Sequence, residues 1–283
     1  MTTDQTKKPR PYWHLDAKWI TGILLLLLLN LTFFIYFLMQ LTAPAQGITL
    51  LSTILASSFS FESGGLDAAG DIEIMRQKIA ESPSGEWQPI PGLQIVVREQ
   101  DIAGKTPREA RLWFFSLLAE PIYYQGQQGL ASLMTDPEMK TSLQGGVGPL
   151  GFISAQTHGN LTIFFAVSAL ASLLFLGLLI YFSYRFGRLG SPGCIIFMAA
   201  IPGLLLLLFS RGWLAQVASN PTPLSEPSAL ARYGQLAADV VPVILQTATR
   251  LYLSLLGLGV LLMLLAFIGS IFVREKKALP GSA

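Results

Sequence analysis

The sequence predicts an α-helical integral membrane protein. The expected architecture is a four-helix transmembrane bundle with both termini cytoplasmic, and a small, mainly α (α+β) extracytoplasmic domain inserted between the first and second spans. Three observations predict it. Of 283 residues, 52% are hydrophobic and only 13% charged, with a mean hydropathy of +0.52, whereas a soluble domain carries about 25% charged residues. The apolar residues gather into four runs long enough to cross a bilayer, which needs about 20 mostly apolar residues. Lys and Arg cluster on one side of those runs, which sets their orientation.

The N-terminal segment, residues 1–18, carries Lys7, Lys8, Arg10 and Lys18. The first span, 19–41, contains the Leu24–Leu29 run and no Asp, Glu, Lys, Arg or His. Ala43-Pro44-Ala45 resembles a signal cleavage site. The preceding apolar core of about 23 residues nevertheless exceeds the about 7–15 of a signal peptide, so the span reads as an uncleaved anchor. The second span is 161–183, followed by a short turn at 184–192 with Arg185 and Arg188. The third, 193–209, is the shortest and contains Pro202; the fourth is 251–273, and the tail 274–283 holds Arg274, Lys276 and Lys277. No water reaches the backbone in hydrocarbon, so each span is a helix. The N-terminal segment, the turn and the tail together hold nine of the 19 basic residues but only three of the 17 acids, Asp4, Asp16 and Glu275. That bias places all three in the cytoplasm.

Residues 42–160 are then extracytoplasmic and long enough to fold as a small domain. Ile48–Phe61 is semi-apolar and reads either as a helix on the membrane surface or as the first element of the domain. Leu66–Ser82, with Leu66, Ile72, Ile74, Met75 and Ile79 among charges, reads as a surface helix. Pro83, Gly85, Pro89, Pro91 and Gly92 break the chain, and the β-branched run Leu93–Arg98 reads as a strand. Thr106-Pro107-Arg108-Glu109 is a capping box with proline at the first helical position. The helix it starts extends to about Tyr124, with Gly126 suited to its end. Its middle, Leu112–Leu118, is almost wholly apolar, so it is buried on most sides. A further short helix is expected from Thr135 or Asp136, and Gly145–Gly151 reads as a connector. In the second outer segment, 210–250, a proline-rich stretch (Pro221, Pro223, Pro227) precedes a helical pattern of Leu230, Tyr233, Leu236, Ala237 and Val240, with a kink expected at Pro242.

Chemistry is sparse. Enzymes buried in membranes keep ionisable or metal-binding groups in their spans because such groups are costly, and here the span interiors hold none. Asn30 is the most polar residue of the first span: an interhelical hydrogen bond is the plain reading, and a polar constriction in a pore the functional one. His14 and His158 lie on opposite sides of the bilayer in this topology and cannot share a metal; His158 reads as a satisfied interfacial histidine. Cys194 is the single cysteine, which allows no intramolecular disulfide, and reads as a small buried residue. Asp67, Asp71 and Glu73 read as a solvated helix face rather than a cation site. Asn160-Leu161-Thr162 matches a glycosylation sequon at the membrane surface. Arg250 is placed to anchor the fourth span at the headgroups; Trp13, Trp19, Tyr181, Tyr184 and Trp213 suit an aromatic belt. Ser168 and Ser172 form one small-xxx-small step, which permits close helix contact. No nucleophile elbow, phosphate-binding loop, zinc helix or calcium loop is present.

The expectation is therefore a non-enzymatic multi-pass protein of the cell membrane, without cofactor or metal: a scaffold, assembly or accessory subunit of a larger membrane complex. Its partners are the lipid bilayer and other proteins or copies of itself, and the net charge of +2 gives no basis for nucleic acid. Trp113, Phe114, Phe115, Tyr123 and Tyr124 are the candidate interaction surface. A homo-oligomeric channel, a receptor with an extracytoplasmic sensing domain and a membrane enzyme are the alternatives. The four-span plan with a large first outer loop is similar in topology to tetraspanins and claudins, but the outer-loop cysteine motifs of those families have no counterpart here.

Overall fold

A computed structural model describes residues 13–58, 65–67, 70–90, 92–135, 148–184, 186–219 and 229–278; within these, the side chains at 14, 65, 71, 148–149, 213–219, 229–238 and 272–278 are not described. The short helix expected from Thr135 or Asp136 and the start of the Gly145 connector fall outside those residues, as do the side chains of His14, Trp213, Leu230, Tyr233, Leu236 and Ala237. Among the described residues, four helices are long and apolar enough to cross a membrane, over Leu15–Leu41, Ala155–Phe182, Gly187–Gly212 and Asp239–Ile271. The protein is thus a helical membrane protein. Two units are distinguished: one takes in Met1–Tyr36, Phe164–Leu208 and Ala248–Ala283, the other Phe37–Ile163 and Phe209–Thr247.

The first unit is made by α1 (Trp13–Leu41), α7 (Ala155–Phe182), α8 (Gly187–Ser219) and α9 (Ala229–Ala278), each counted only over the residues that belong to it. Hydrocarbon gives apolar helices no hydrophobic reason to associate, so close backbone approach and hydrogen bonds must hold them. Both are present. Between α8 and α9 the contact is made through glycine: a Cβ on Gly259 would stand 2.8 Å from the Phe197 backbone nitrogen, and one on Gly193 would stand 2.9 Å from Leu262 Cβ. Gly203 lies directly against the ring of Tyr252. Between α1 and α7 the Tyr36 and Phe165 rings meet at 5.4 Å, and a polar contact is made as well. Thr32 Oγ1 donates to Leu28 O of its own helix at 2.8 Å and stands 3.0 Å from Ser172 Oγ. Ser168 and Ser172 are both buried, so the small-xxx-small step faces a neighbouring helix. Trp13, Trp19, Tyr181 and Tyr184 are exposed, as an aromatic belt requires. The third apolar helix is longer than the 193–209 read from sequence, because the chain stays helical through Pro192 as well as Pro202. Likewise α9 runs unbroken through Pro242.

The second unit has its own core. α2 (Pro44–Ser58) buries Leu50, Leu51, Leu55 and Ala56, and packs on α5 (Pro107–Gln125). It therefore belongs to the core of this unit. A 3-10 turn at Gly65–Asp67 precedes α3 (Gly70–Glu81), which buries Ile72 and Ile79 and leaves Ile74 exposed. The run expected as a strand buries Leu93, Ile95 and Val97 and exposes the residues between them, the period of two that a half-buried strand imposes. Its ladder is short: β1 (Glu86–Trp87) pairs antiparallel with β2 (Val97–Arg98), and Leu93 bridges to Met134. A one-turn helix α4 (Glu99–Ile102) follows.

The capping box at α5 forms as read. Thr106 Oγ1 accepts from the Glu109 backbone N–H at 3.3 Å, and Glu109 Oε2 accepts from the Thr106 N–H at 2.9 Å. These bonds to Thr106 hold the Glu109 carboxyl below its ordinary value. Gly126 closes the helix with φ +60, a conformation that side chains with a Cβ rarely adopt. The chain then folds back as α6 (Gln127–Ser132), a helix without a distinct sequence signal, with Gly129 pressed against the Pro121 carbonyl.

If glycine contact holds α8 to α9, Gly259→Leu overpacks that interface and costs about 1–3 kcal/mol. Gly257→Ala, two residues away with nothing within 4 Å of the added Cβ, keeps or raises stability, since alanine is the better helix former. Thermal unfolding of both variants in the same detergent checks the pair.

Candidate functional site

The proposed interaction surface on α5 resolves into two groups. Phe114, Phe115 and Tyr123 are buried in the core of the second unit, and Trp113 packs partly against it. Only Tyr124 is well exposed, at 54%. The correction has a simple cause. A helix presents residues three and four apart on one face; Phe114, Phe115, Leu118, Ala119, Ile122 and Tyr123 make the buried side of α5, and Tyr123 lies against Gly47 of α2. An aromatic run of consecutive residues therefore points in several directions and forms no single exterior patch.

Tyr123 marks a tight junction at the end of α1. Its ring lies on Gly47, where a Cβ would stand 2.7 Å from Cε2, and its hydroxyl donates to Thr42 O at 2.6 Å. Burial pushes the phenol above its ordinary value, with Tyr124 adding to the shift, so it stays a donor at neutral pH. On the same helix end, His158 Nδ1 stands 3.1 Å from Met39 O and 3.5 Å from Thr42 Oγ1. A carbonyl only accepts, so Nδ1 carries the hydrogen. The last carbonyls of a helix have no partner within it; here one of them is met by the imidazole, which gives His158 a structural role.

A second polar cluster joins α2, the 65–67 turn, α5 and α9. Ser57 Oγ donates to Asp239 Oδ2 at 3.0 Å, and Arg108 Nη1 reaches Asp67 Oδ2 at 3.2 Å and Asp239 Oδ1 at 3.6 Å. The charge of Arg111, a side chain only 2% exposed, also acts on Asp239. Two carboxylates and two guanidiniums offset one another, so the cluster has no net charge to offer an ion. Sequence reading treated Asp67 as part of a solvated acidic face and passed over Ser57, Arg111 and Asp239. The available signal was Arg111 itself, a cation one residue before an apolar helical run.

The remaining candidates are plainly placed. Asn30 Nδ2 donates to Leu26 O at 2.8 Å within its own helix; the interhelical bond expected of it is made by Thr32 and Ser172 instead. Arg250 is exposed on α9, as an anchor at the headgroups would be. Cys194, expected buried, is exposed on α8. Asn160 lies inside α7, in the first turns of that helix. No protein-family model, curated protein or solved structure matches the chain.

Removing the Tyr123 hydroxyl isolates its contribution. Tyr123→Phe keeps the ring on Gly47 and loses the bond to Thr42 O, which costs about 1–3 kcal/mol if the carbonyl is left without a replacement. Tyr124→Phe, on the exposed neighbour, changes the unfolding temperature little. Parallel melting curves of the two variants test the assignment.

Proposed function

We propose that this chain is a non-enzymatic subunit of a larger membrane complex, acting as a scaffold, assembly or accessory factor. In this reading both termini are cytoplasmic, the domain between the first and second spans is extracytoplasmic, and the membrane is the cell membrane. The observation that carries the reading is how the polar groups are spent. Tyr123, His158, Arg108, Asp239 and Ser57 each hold one element of the second unit to another. Thr32, Ser172 and Asn30 are committed to helix carbonyls or to one another. Polar groups used in this way build a rigid framework whose charges are paired, which suits a protein whose task is to be packed against. The same commitments weaken the channel alternative, because Asn30 is its candidate for a polar constriction and donates within its own helix.

Two measurements test the proposal. A gentle-detergent pull-down of the tagged chain from its native membranes, read by mass spectrometry and light scattering, recovers a partner at fixed stoichiometry. Recovery of this chain alone overturns the subunit reading; a defined ring of identical chains would then favour a channel, and a monomer a receptor. Orientation is tested in a Cys194→Ala background with a membrane-impermeant maleimide on intact cells. Glu120→Cys is labelled and Asp16→Cys is not; the reverse pattern overturns the topology.

A further inference from the structure

The first unit contains a cleft of about 400 Å³ among its apolar helices, lined by residues of α1, α7, α8 and α9 that include Leu25, Tyr36, Phe165, Ala169, Ile196 and Leu251. We propose that this cleft is a binding site for one acyl chain of a membrane phospholipid.

Three features select that occupant. The first is chemical. The lining holds no Asp, Glu, Lys, Arg or His; its Thr32 and Ser172 hydroxyls are already paired, and the Tyr36 hydroxyl is the one further side-chain polar group among its twelve residues. Thr32 gives its hydrogen to Leu28 O, so its oxygen accepts from Ser172, and neither hydroxyl hydrogen of the pair remains for a ligand. A polar ligand would leave groups unsatisfied in a dry site, at a cost of about 2–7 kcal/mol each, whereas an alkyl chain needs no partner. The second is size. From Leu25 to Tyr36 the cleft follows about 16 Å of helix, at about 1.5 Å per residue. The cleft stands at the small end of ligand sites, which span about 300–1,000 Å³. The third is access. Leu173 lines the cleft yet is 63% exposed, so the opening is continuous with the apolar exterior of α7, where Leu170 and Leu174 are also exposed.

The test compares leucines of the cleft with leucines of the exterior. The full chain is reconstituted in phosphatidylcholine vesicles containing a tracer of phosphatidylcholine with a diazirine on one acyl chain, irradiated, and mapped by mass spectrometry. Leu29 and Leu176 line the cleft, while Leu27 and Leu174 are exposed two residues away on the same helices. The expected result is several-fold more label at Leu29 and Leu176, an excess that Ala169→Trp removes while the exterior positions keep theirs. Equal labelling of the two sets in the unaltered chain overturns the proposal and shows only bulk lipid. An excess that persists in Ala169→Trp also overturns it, as does cross-linking of the cleft leucines to another polypeptide. The comparison in the unaltered chain stands whether or not the variant folds.

Discussion

The domain between the first two long helices depends on how closely α2 can approach α5. Gly47 sets that distance. With no side chain there, the Tyr123 ring lies on the α2 backbone and its hydroxyl reaches the Thr42 carbonyl just past the end of α1. Leu51 and Leu55 of α2 and Phe114, Leu118 and Ile122 of α5 belong to the same buried core. The single-cysteine chain has no intramolecular disulfide to hold the unit together, so apolar packing and a few buried hydrogen bonds carry that task.

The long apolar helices obey a different rule. Within hydrocarbon, burying another leucine gains little, and the differences lie in contact distance and polar satisfaction. Gly193, Gly203 and Gly259 bring α8 and α9 within backbone reach of each other, and the Thr32–Ser172 pair joins α1 to α7. What the first unit lacks is complete filling. The cleft beside Thr32 and Ser172 is the place where its helices stop short of one another, and hydrocarbon is the material at hand to occupy it.

Much of this was legible in the chain because its signals are local. Four apolar runs can only be helices in a bilayer, and Thr106-Pro107-Arg108-Glu109 carries its own start signal. Alternating burial at Leu93, Ile95 and Val97 follows from the β-branched pattern, even though few of those residues enter a ladder. The missed features depend on pairs far apart in sequence. Asn30 looked like the natural interhelical donor, but a side chain on a helix can satisfy itself one turn back, whereas Thr32 and Ser172 are brought together only by packing. Asp239 and Ser57 are 182 positions apart, and nothing in either segment announces the other. The α5 helix was legible as buried on most sides, yet its aromatic residues also suggested an outer surface, and Phe114, Phe115 and Tyr123 turn inward because of packing by segments distant in sequence.

The account of the domain therefore rests on residues 44–58 being part of its core, and hydrogen–deuterium exchange of the full chain in detergent tests this most directly. Amides of α2 and α5 should exchange slowly and at a common rate, as one cooperative unit. Rapid exchange in α2 beside lasting protection in α5 would contradict the account, because α2 would then be an independent helix and the Gly47–Tyr123 contact would not hold the domain together.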